Sequence, residues 1–215
     1  MKLSNLLPSG SESLHIINDG IWRKNAVFIE AVGLFPLIAY GVTLKNGVVL
    51  SIVTACVLIP MSVVASLIGD RLAGYLREPV YAVFSAAFLI PAVMLAGQLF
   101  HGNISALGMS LSLLFINTLL YFRKGIISVK QSPISAAISA FAHSLGFALV
   151  LCVVSGVREI ASLGTIWGVA LPFERRVPAA ALPFAGFIVL GFIIALYKAV
   201  LILMYKDSQV EVITK

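Results

Sequence analysis

Long apolar runs separated by short polar stretches dominate the pattern of this 215-residue chain. A membrane-spanning helix needs about 20 mostly apolar residues, because the hydrocarbon core is about 30 Å thick and a helix rises about 1.5 Å per residue. The pattern therefore predicts an all-α integral membrane protein. We expect six transmembrane helices, over residues 26–44, 47–68, 79–99, 104–122, 135–157 and 182–203. They form one membrane domain over residues 26–203, between a cytoplasmic N-terminal segment, residues 1–25, and a cytoplasmic C-terminal tail, residues 204–215.

Composition supports the membrane class and excludes others. The chain is 60% hydrophobic and 11% charged, whereas soluble domains carry roughly 25% charged residues. Its net charge of +6 comes from basic residues scattered between apolar runs, so we expect a lipid bilayer and no nucleic acid as partner. Cys56 and Cys152 lie in apolar runs, which favours small buried side chains over a disulfide scaffold or a zinc site.

The distribution of basic residues predicts the orientation. With six spans, Lys45, Arg158, Arg175 and Arg176 lie on one side of the membrane. The other eleven Lys and Arg residues share the side of both termini: Lys2, Arg23, Lys24, Arg71, Arg77, Arg123, Lys124, Lys130, Lys198, Lys206 and Lys215. Cytoplasmic loops are rich in Lys and Arg. We therefore expect a multi-pass protein of the inner (cell) membrane with both termini in the cytoplasm.

The pattern also indicates an internal repeat. Three spans followed by three more give two halves of opposite orientation, as in many transport folds. Arg77-Glu78 and Arg158-Glu159 follow the second and fifth spans, which are equivalent places in the two halves. We interpret the chain as two inverted three-helix repeats.

The first and fourth spans are interrupted, and these interruptions form the candidate site. Non-helical backbone in hydrocarbon must be buried or line a cavity, so a functional site near the bilayer midplane is one interpretation. Ordinary kinks are the other, because Gly and Pro are common in transmembrane helices. The midplane candidates are Gly33, Phe35, Pro36, Asn117 and Thr118.

Other polar residues fit structural roles better. Glu30 is interpreted as an interfacial carboxylate, with proton or cation handling as the alternative. Lys198 can extend to the membrane surface, and His143 is interpreted as a packed, hydrogen-bonded side chain. We expect a two-residue connection at Lys45-Asn46 and a longer outer connection over residues 158–181. No grouping predicts a catalytic or metal site.

Several short strings, in order between Asp19 and Leu203, carry a likeness to a known family. They are Gly20-Ile21-Trp22 with Asn25, Gly33-Leu34-Phe35-Pro36-Leu37, Arg77 with Pro79-Val80-Tyr81, Asn117 with Phe122-Arg123, Arg158-Glu159-Ile160 with Gly164-Thr165, and Pro183-Phe184-Ala185-Gly186-Phe187. In these strings the chain resembles the E subunit of Rnf complexes and the D subunit of Nqr complexes.

The resemblance implies a subunit of a complex that moves electrons between NADH, ferredoxin or quinone and couples them to Na⁺ or H⁺ movement. It also implies a sister membrane subunit of opposite orientation, with a two-iron two-sulfur cluster between the two. Each sister of the family supplies two cysteines, which align with Phe35 and Thr118 of this chain. Thiolates hold the iron of such clusters. We therefore expect no cofactor on this chain, and an iron–sulfur cluster and flavins only in partner subunits.

Two hypotheses follow. In the first, the chain is a membrane subunit of an Rnf/Nqr-type ion-translocating electron-transport complex and is at most a non-catalytic part of that enzyme. In the second, it is a cluster-free paralogue that transports an ion or small solute. The first is the leading hypothesis. Only the missing cysteines favour the second, and the helix interruptions fit both.

Overall fold

A computed structural model describes residues 16–18, 20–21, 25, 27–28, 34–100, 118, 132–172 and 176–213. In this part of the chain one short helix is followed by four long ones. The helices are α1 (Leu34–Tyr40), α2 (Leu44–Ile68), α3 (Gly74–Leu99), α4 (Pro133–Leu163) and α5 (Pro183–Ile213). A small antiparallel hairpin, β1 (Thr165–Ile166) and β2 (Val169–Ala170), and a 3-10 turn at Pro178–Ala181 connect α4 to α5.

Four of the described helices are long and apolar enough to cross a membrane. They are α2, α3, α4 and the Pro183–Val200 part of α5. Their lengths of 25, 26, 31 and 18 residues correspond to about 27–46 Å, against a hydrocarbon core of about 30 Å. The helical membrane class expected from the sequence is therefore confirmed.

The core lies between α2 and α4. A Cβ atom added at Gly47 of α2 would come within 2.7 Å of the Ser155 Oγ of α4, so a small residue is needed for the close approach of the two helices. Apolar side chains of both helices fill the rest of the contact, and these are Val49, Leu50, Val53, Val57, Phe147, Val150, Leu151 and Val154.

Local sequence signals explain where α2 and α4 begin and end. The Thr43 side chain accepts a hydrogen bond from the Asn46 N–H at the start of α2, and Ser132 does the same for Ser135 ahead of Pro133. Such side chains satisfy N–H groups that lack a partner within the helix. Gly164 ends α4 in the left-handed conformation, with a φ of 66°, which glycine adopts at little cost.

Two predicted connections are wrong. Lys45 and Asn46 lie in the first turn of α2, because Thr43 caps that helix and α1 already ends at Tyr40. Arg158 and Glu159 lie inside α4, which continues six residues past the predicted end at Val157. Hydrogen bonds satisfy both charged groups within the protein. The helix can therefore continue past Arg158.

The remaining spans agree with the prediction to different degrees. The second ends at Ile68, as predicted. The third begins at Gly74 instead of residue 79, and the last continues from Pro183 to Ile213. The predicted fourth span, residues 104–122, lies outside the described residues except for Thr118.

Candidate functional site

The candidate site centres on α1, which lies in the predicted first span. Its seven described residues extend about 10 Å. Pro36 is the third of these residues. Phe35, in the same first turn, is 59% exposed.

Arg158 fixes the C-terminal end of α1. Its guanidinium is fully buried and donates to the carbonyl oxygens of Ile38 at 2.7 Å and Gly41 at 3.1 Å. Carbonyl groups at the end of a helix lack partners within the helix, and a planar guanidinium with five N–H groups can serve several at once. Arg158 thereby sets the position of the end of α1 relative to α4.

The same guanidinium holds the segment that leads into α5. It donates to the carbonyl oxygens of Ala180 at 3.1 Å, Ala181 at 2.9 Å and Leu182 at 3.2 Å. These carbonyls belong to the 3-10 turn and its end. One side chain thus binds α1, α4 and the start of α5 together, through five acceptors that disperse its charge.

Glu159 accepts hydrogen bonds from backbone N–H groups. Its carboxylate is buried and accepts from the Leu44 N–H at 2.6 Å, at the start of α2. It also accepts from the Thr165 hydroxyl at 2.9 Å and from the Gly168 N–H at 3.0 Å, both in the hairpin. A negative charge at a helix N-terminus is favourable. Arg158 and Glu159 therefore bind oppositely polarised helix ends from adjacent positions.

The chain before α1 crosses α4 closely. A Cβ atom on Gly146 would lie 2.8 Å from both the Asn25 Nδ2 and the Gly20 carbonyl oxygen, and one on Gly20 would lie 2.7 Å from the Ala142 Cβ. Gly146 is the fourteenth of 31 residues in α4, about 20 Å from the start of that helix. The crossing is therefore at mid-length of α4, and both glycines are needed for the approach.

Asn25 satisfies backbone groups of this crossing segment. It is buried; its Oδ1 accepts from the Val27 N–H at 3.0 Å and its Nδ2 donates to the Ile21 carbonyl at 3.1 Å. Buried backbone groups in a membrane must be satisfied within the protein. Directly after Val27, Phe28 stacks on Tyr197 of α5, with ring centroids 4.3 Å apart. The segment is thus held against both α4 and α5.

The structure locates three of the five predicted site residues. Phe35 and Pro36 share the first turn of α1, while Thr118 is fully buried and helical. Phe35 is exposed, so the two positions aligned with the family's cysteines differ in environment. Gly33 and Asn117 lie outside the described residues.

Sequence reasoning missed Arg158, Glu159 and Asn25 as organising residues. Gly164 was the available signal for the first two, because a glycine just past an apolar run marks a helix end. The sequence could therefore have predicted the end of α4 at Leu163. The carbonyl partners of Arg158 were not, since they lie 22 to 120 residues away along the chain.

The side chains at Phe35 and Thr118 do not fit an iron–sulfur cluster. A phenyl ring has no lone pair to donate to iron, and such clusters are held by Cys thiolates or, in one class, by His as well. Cys56 and Cys152 are free and lie in α2 and α4. Among the described residues, no three His, Cys, Asp or Glu side chains form a group that could hold a metal ion.

Comparisons with known proteins identify the family. The model of a family described as "Rnf-Nqr subunit, membrane protein" matches residues 13–194. The chain belongs to the Rnf-Nqr subunit family of membrane proteins. The resemblance seen in the sequence strings is thereby confirmed.

Three relatives of this Rnf-Nqr chain share one description, the E subunit of an ion-translocating oxidoreductase complex. The relative from Shewanella sp. (strain ANA-3) is 32% identical over 212 residues, covering 90% of this chain and 89% of the relative. Proteins of the same description from Shewanella sp. (strain W3-18-1) and Shewanella oneidensis are 30% and 31% identical. These alignments cover 91% and 89% of this chain, and 90% and 89% of the respective relatives.

Proposed function

We propose that this chain is a membrane subunit of an ion-translocating oxidoreductase complex, in which it has a structural and pathway-lining role. The similarity to the Shewanella proteins carries the proposal, because it extends over about nine-tenths of both chains. Shared length of that extent supports a shared place in a complex. In this proposal the redox cofactors belong to partner subunits.

The proposed membrane domain has six spans in two inverted three-helix repeats. Four long apolar helices, with α1 inside the predicted first span, support this arrangement. The contact of Asn25 with the middle of α4 supports a start of the membrane domain before residue 26. Arg158 donates to Ile38 and Gly41 at the C-terminal end of α1. The exposed Phe35 lies about 10 Å from that end along the helix.

The proposed partner is a sister membrane subunit of opposite orientation, which packs against the exposed first turn of α1. Broken helices in such repeats direct their ends toward the site between the halves. Phe35 then contributes an apolar contact where the family supplies a thiolate. We propose that any iron–sulfur cluster and the flavins are held by partner subunits and not by this chain.

Purification of the tagged chain from its native membrane in mild detergent tests the proposal. Mass spectrometry should identify a second multi-span subunit together with flavin- and iron–sulfur-containing subunits. Recovery of the chain alone, or only with copies of itself, would overturn the proposal and favour a cluster-free ion or solute transporter. Iron analysis of the chain after its separation from the partners should find none.

A matched pair of variants tests the proposed contact. Phe35→Ala removes an exposed ring from α1, whereas Phe192→Ala removes a ring that is 75% exposed on α5. Both variants should insert and fold, because neither ring is part of the core. We expect Phe35→Ala to lower recovery of the sister subunit several-fold relative to Phe192→Ala. Equal recovery in the two variants would exclude α1 as the contact.

A further inference from the structure

The hairpin after α4 exposes a group of apolar side chains. Val169 is 70% exposed, and Ile166 and Trp167 are 41% and 42% exposed. Large apolar side chains grouped on a surface loop indicate a binding surface.

The hairpin is held rigidly at the end of the apolar helices. Thr165 pairs with Ala170 and Ile166 with Val169, and the Glu159 carboxylate accepts from the Gly168 N–H at the turn. The same carboxylate accepts from Leu44 at the first turn of α2. The hairpin therefore lies level with the end of a transmembrane helix, which is the depth of the membrane–water interface.

Trp167 occupies a turn position that its side chain disfavours. Trp167 and Gly168 have φ values of 57° and 83°, and a two-residue turn with two positive φ angles prefers Asn, Asp or Gly at its first position. A bulky residue with positive φ is an outlier. Such strain persists where the rest of the structure imposes it, and it is a reason to look for function. Here the strained residue is an exposed indole.

Two exposed cations flank the hairpin. The Lys45 Nζ lies 3.5 Å from the position of a Cβ added at Gly168, and the Arg176 Nε lies 3.1 Å from one added at Gly164. One cation is thus beside the tip and the other beside the base. Membrane lipids combine phosphate groups with an apolar region directly beneath them, and Trp is enriched at that boundary.

We propose that the hairpin Thr165–Ala170 is a lipid-binding anchor. The Trp167 indole lies at the boundary between lipid headgroups and acyl chains, and Lys45 and Arg176 bind lipid phosphates around it. The lipid interface explains the exposed apolar side chains, the strained indole and the flanking cations together. The anchor is independent of the redox complex, since it needs only lipid.

Fluorescence of the full-length chain in phospholipid vesicles tests this proposal. The chain contains two tryptophans, Trp22 and Trp167, so Trp22→Phe leaves Trp167 as the single reporter. Lipids brominated near the headgroups should quench Trp167 more than lipids brominated near the bilayer centre, because Trp is enriched at the membrane–water interface. Its emission should lie at shorter wavelength than that of tryptophan in water. Trp22→Tyr replaces Trp22→Phe if that variant does not fold by circular dichroism.

The alternative locations give distinct results. Quenching by aqueous acrylamide without quenching by brominated lipid would overturn the proposal and place the hairpin in water. Quenching by neither would overturn it and indicate that protein covers the indole. Stronger quenching by the deeper bromines would also overturn it.

A second comparison tests the role of the cation. In the Trp22→Phe background, Lys45→Gln should shift Trp167 emission to longer wavelength in vesicles that contain anionic lipid. Lys198→Gln removes an exposed charge on α5 and should leave the emission unchanged. An unchanged Trp167 emission spectrum in Lys45→Gln would show that lipid phosphate does not bind at Lys45.

Discussion

Arg158 carries a full charge in the protein interior without a carboxylate within its hydrogen-bonded set. Five carbonyl oxygens from three segments accept from it. Each bond to a charged group contributes more than a neutral one, and a buried group left unsatisfied is costly. The residue therefore stabilises the fold only while the fold supplies all of its acceptors.

Arg158→Met should lower the free energy of unfolding by about 3 kcal/mol, because Ile38, Gly41 and Ala180–Leu182 lose a donor that the apolar chain cannot replace. Thermal unfolding in detergent, followed by circular dichroism, measures the loss. Arg158→Lys keeps the charge but not the planar set of donors, so its stability should fall between those of Arg158→Met and the unmodified chain. An unchanged midpoint in Arg158→Met would mean that these bonds contribute little.

Gly146 makes a separate prediction at the same scale. Gly146→Ala puts a methyl group 2.8 Å from two polar atoms of the N-terminal segment, and we expect a loss of about 1–3 kcal/mol from overpacking. Gly191→Ala is the control, since a Cβ added there meets nothing within 4 Å. That change should be neutral or stabilising by up to about 1 kcal/mol, because Ala favours helix over Gly. Equal effects of the two substitutions on thermal unfolding would contradict the close crossing.

At the scale of secondary structure elements, Glu159 connects α2, α4 and the hairpin. Its carboxylate bonds α2 to the hairpin, while its backbone belongs to α4. The hairpin has only two residue pairs, too few to be stable alone. Its order therefore depends on the carboxylate beneath it.

Glu159→Gln should loosen the hairpin. A carboxamide offers one acceptor oxygen and an NH₂ group, so an N–H of Leu44 or Gly168, or the Thr165 hydroxyl, then faces a donor. Hydrogen–deuterium exchange should become about tenfold faster at the Gly168 amide, which corresponds to about 1.4 kcal/mol. Thr165→Ser retains the hydroxyl and should exchange at nearly the original rate. Unchanged exchange in Glu159→Gln would show that strand pairing alone orders the turn.

Element boundaries show what the sequence could and could not predict. Apolar length predicted the ends of α2 and α3 correctly, because span length is set by bilayer thickness. It failed at Lys45 and Arg158, where a charge was taken as the end of a helix. Lys45 is exposed in the first turn of α2. The Arg158 charge is accommodated by hydrogen bonds that depend on the folded arrangement, and no local pattern encodes these bonds.

For the whole molecule, the sequence predicted the family and the helical membrane class, since both depend on composition and on strings of residues in order. The interruption of the first span at Pro36 stays a prediction. The sequence did not predict that Arg158 and Glu159 join α1, α2, α4 and the start of α5. That junction is a property of tertiary structure, because its partners come from opposite ends of the chain.

The topology of the whole molecule is a prediction that reporter fusions test. Alkaline phosphatase joined after Leu171 should be active, because we expect the hairpin side of the membrane to face outward. The same enzyme joined after Ala73 should be inactive, and green fluorescent protein at the C-terminus should fluoresce. The opposite pattern in all three fusions would reverse the proposed orientation.

The bonds from Arg158 also have a consequence for synthesis of the chain. Its partners Ile38 and Gly41 precede it by 120 and 117 residues, which a ribosome translates in roughly 6 to 24 s. During that interval the carbonyl groups at the end of α1 lack their final donor. They therefore depend on water, lipid headgroups or the insertion machinery until α4 arrives, and the translation rate between the two sets the length of that interval.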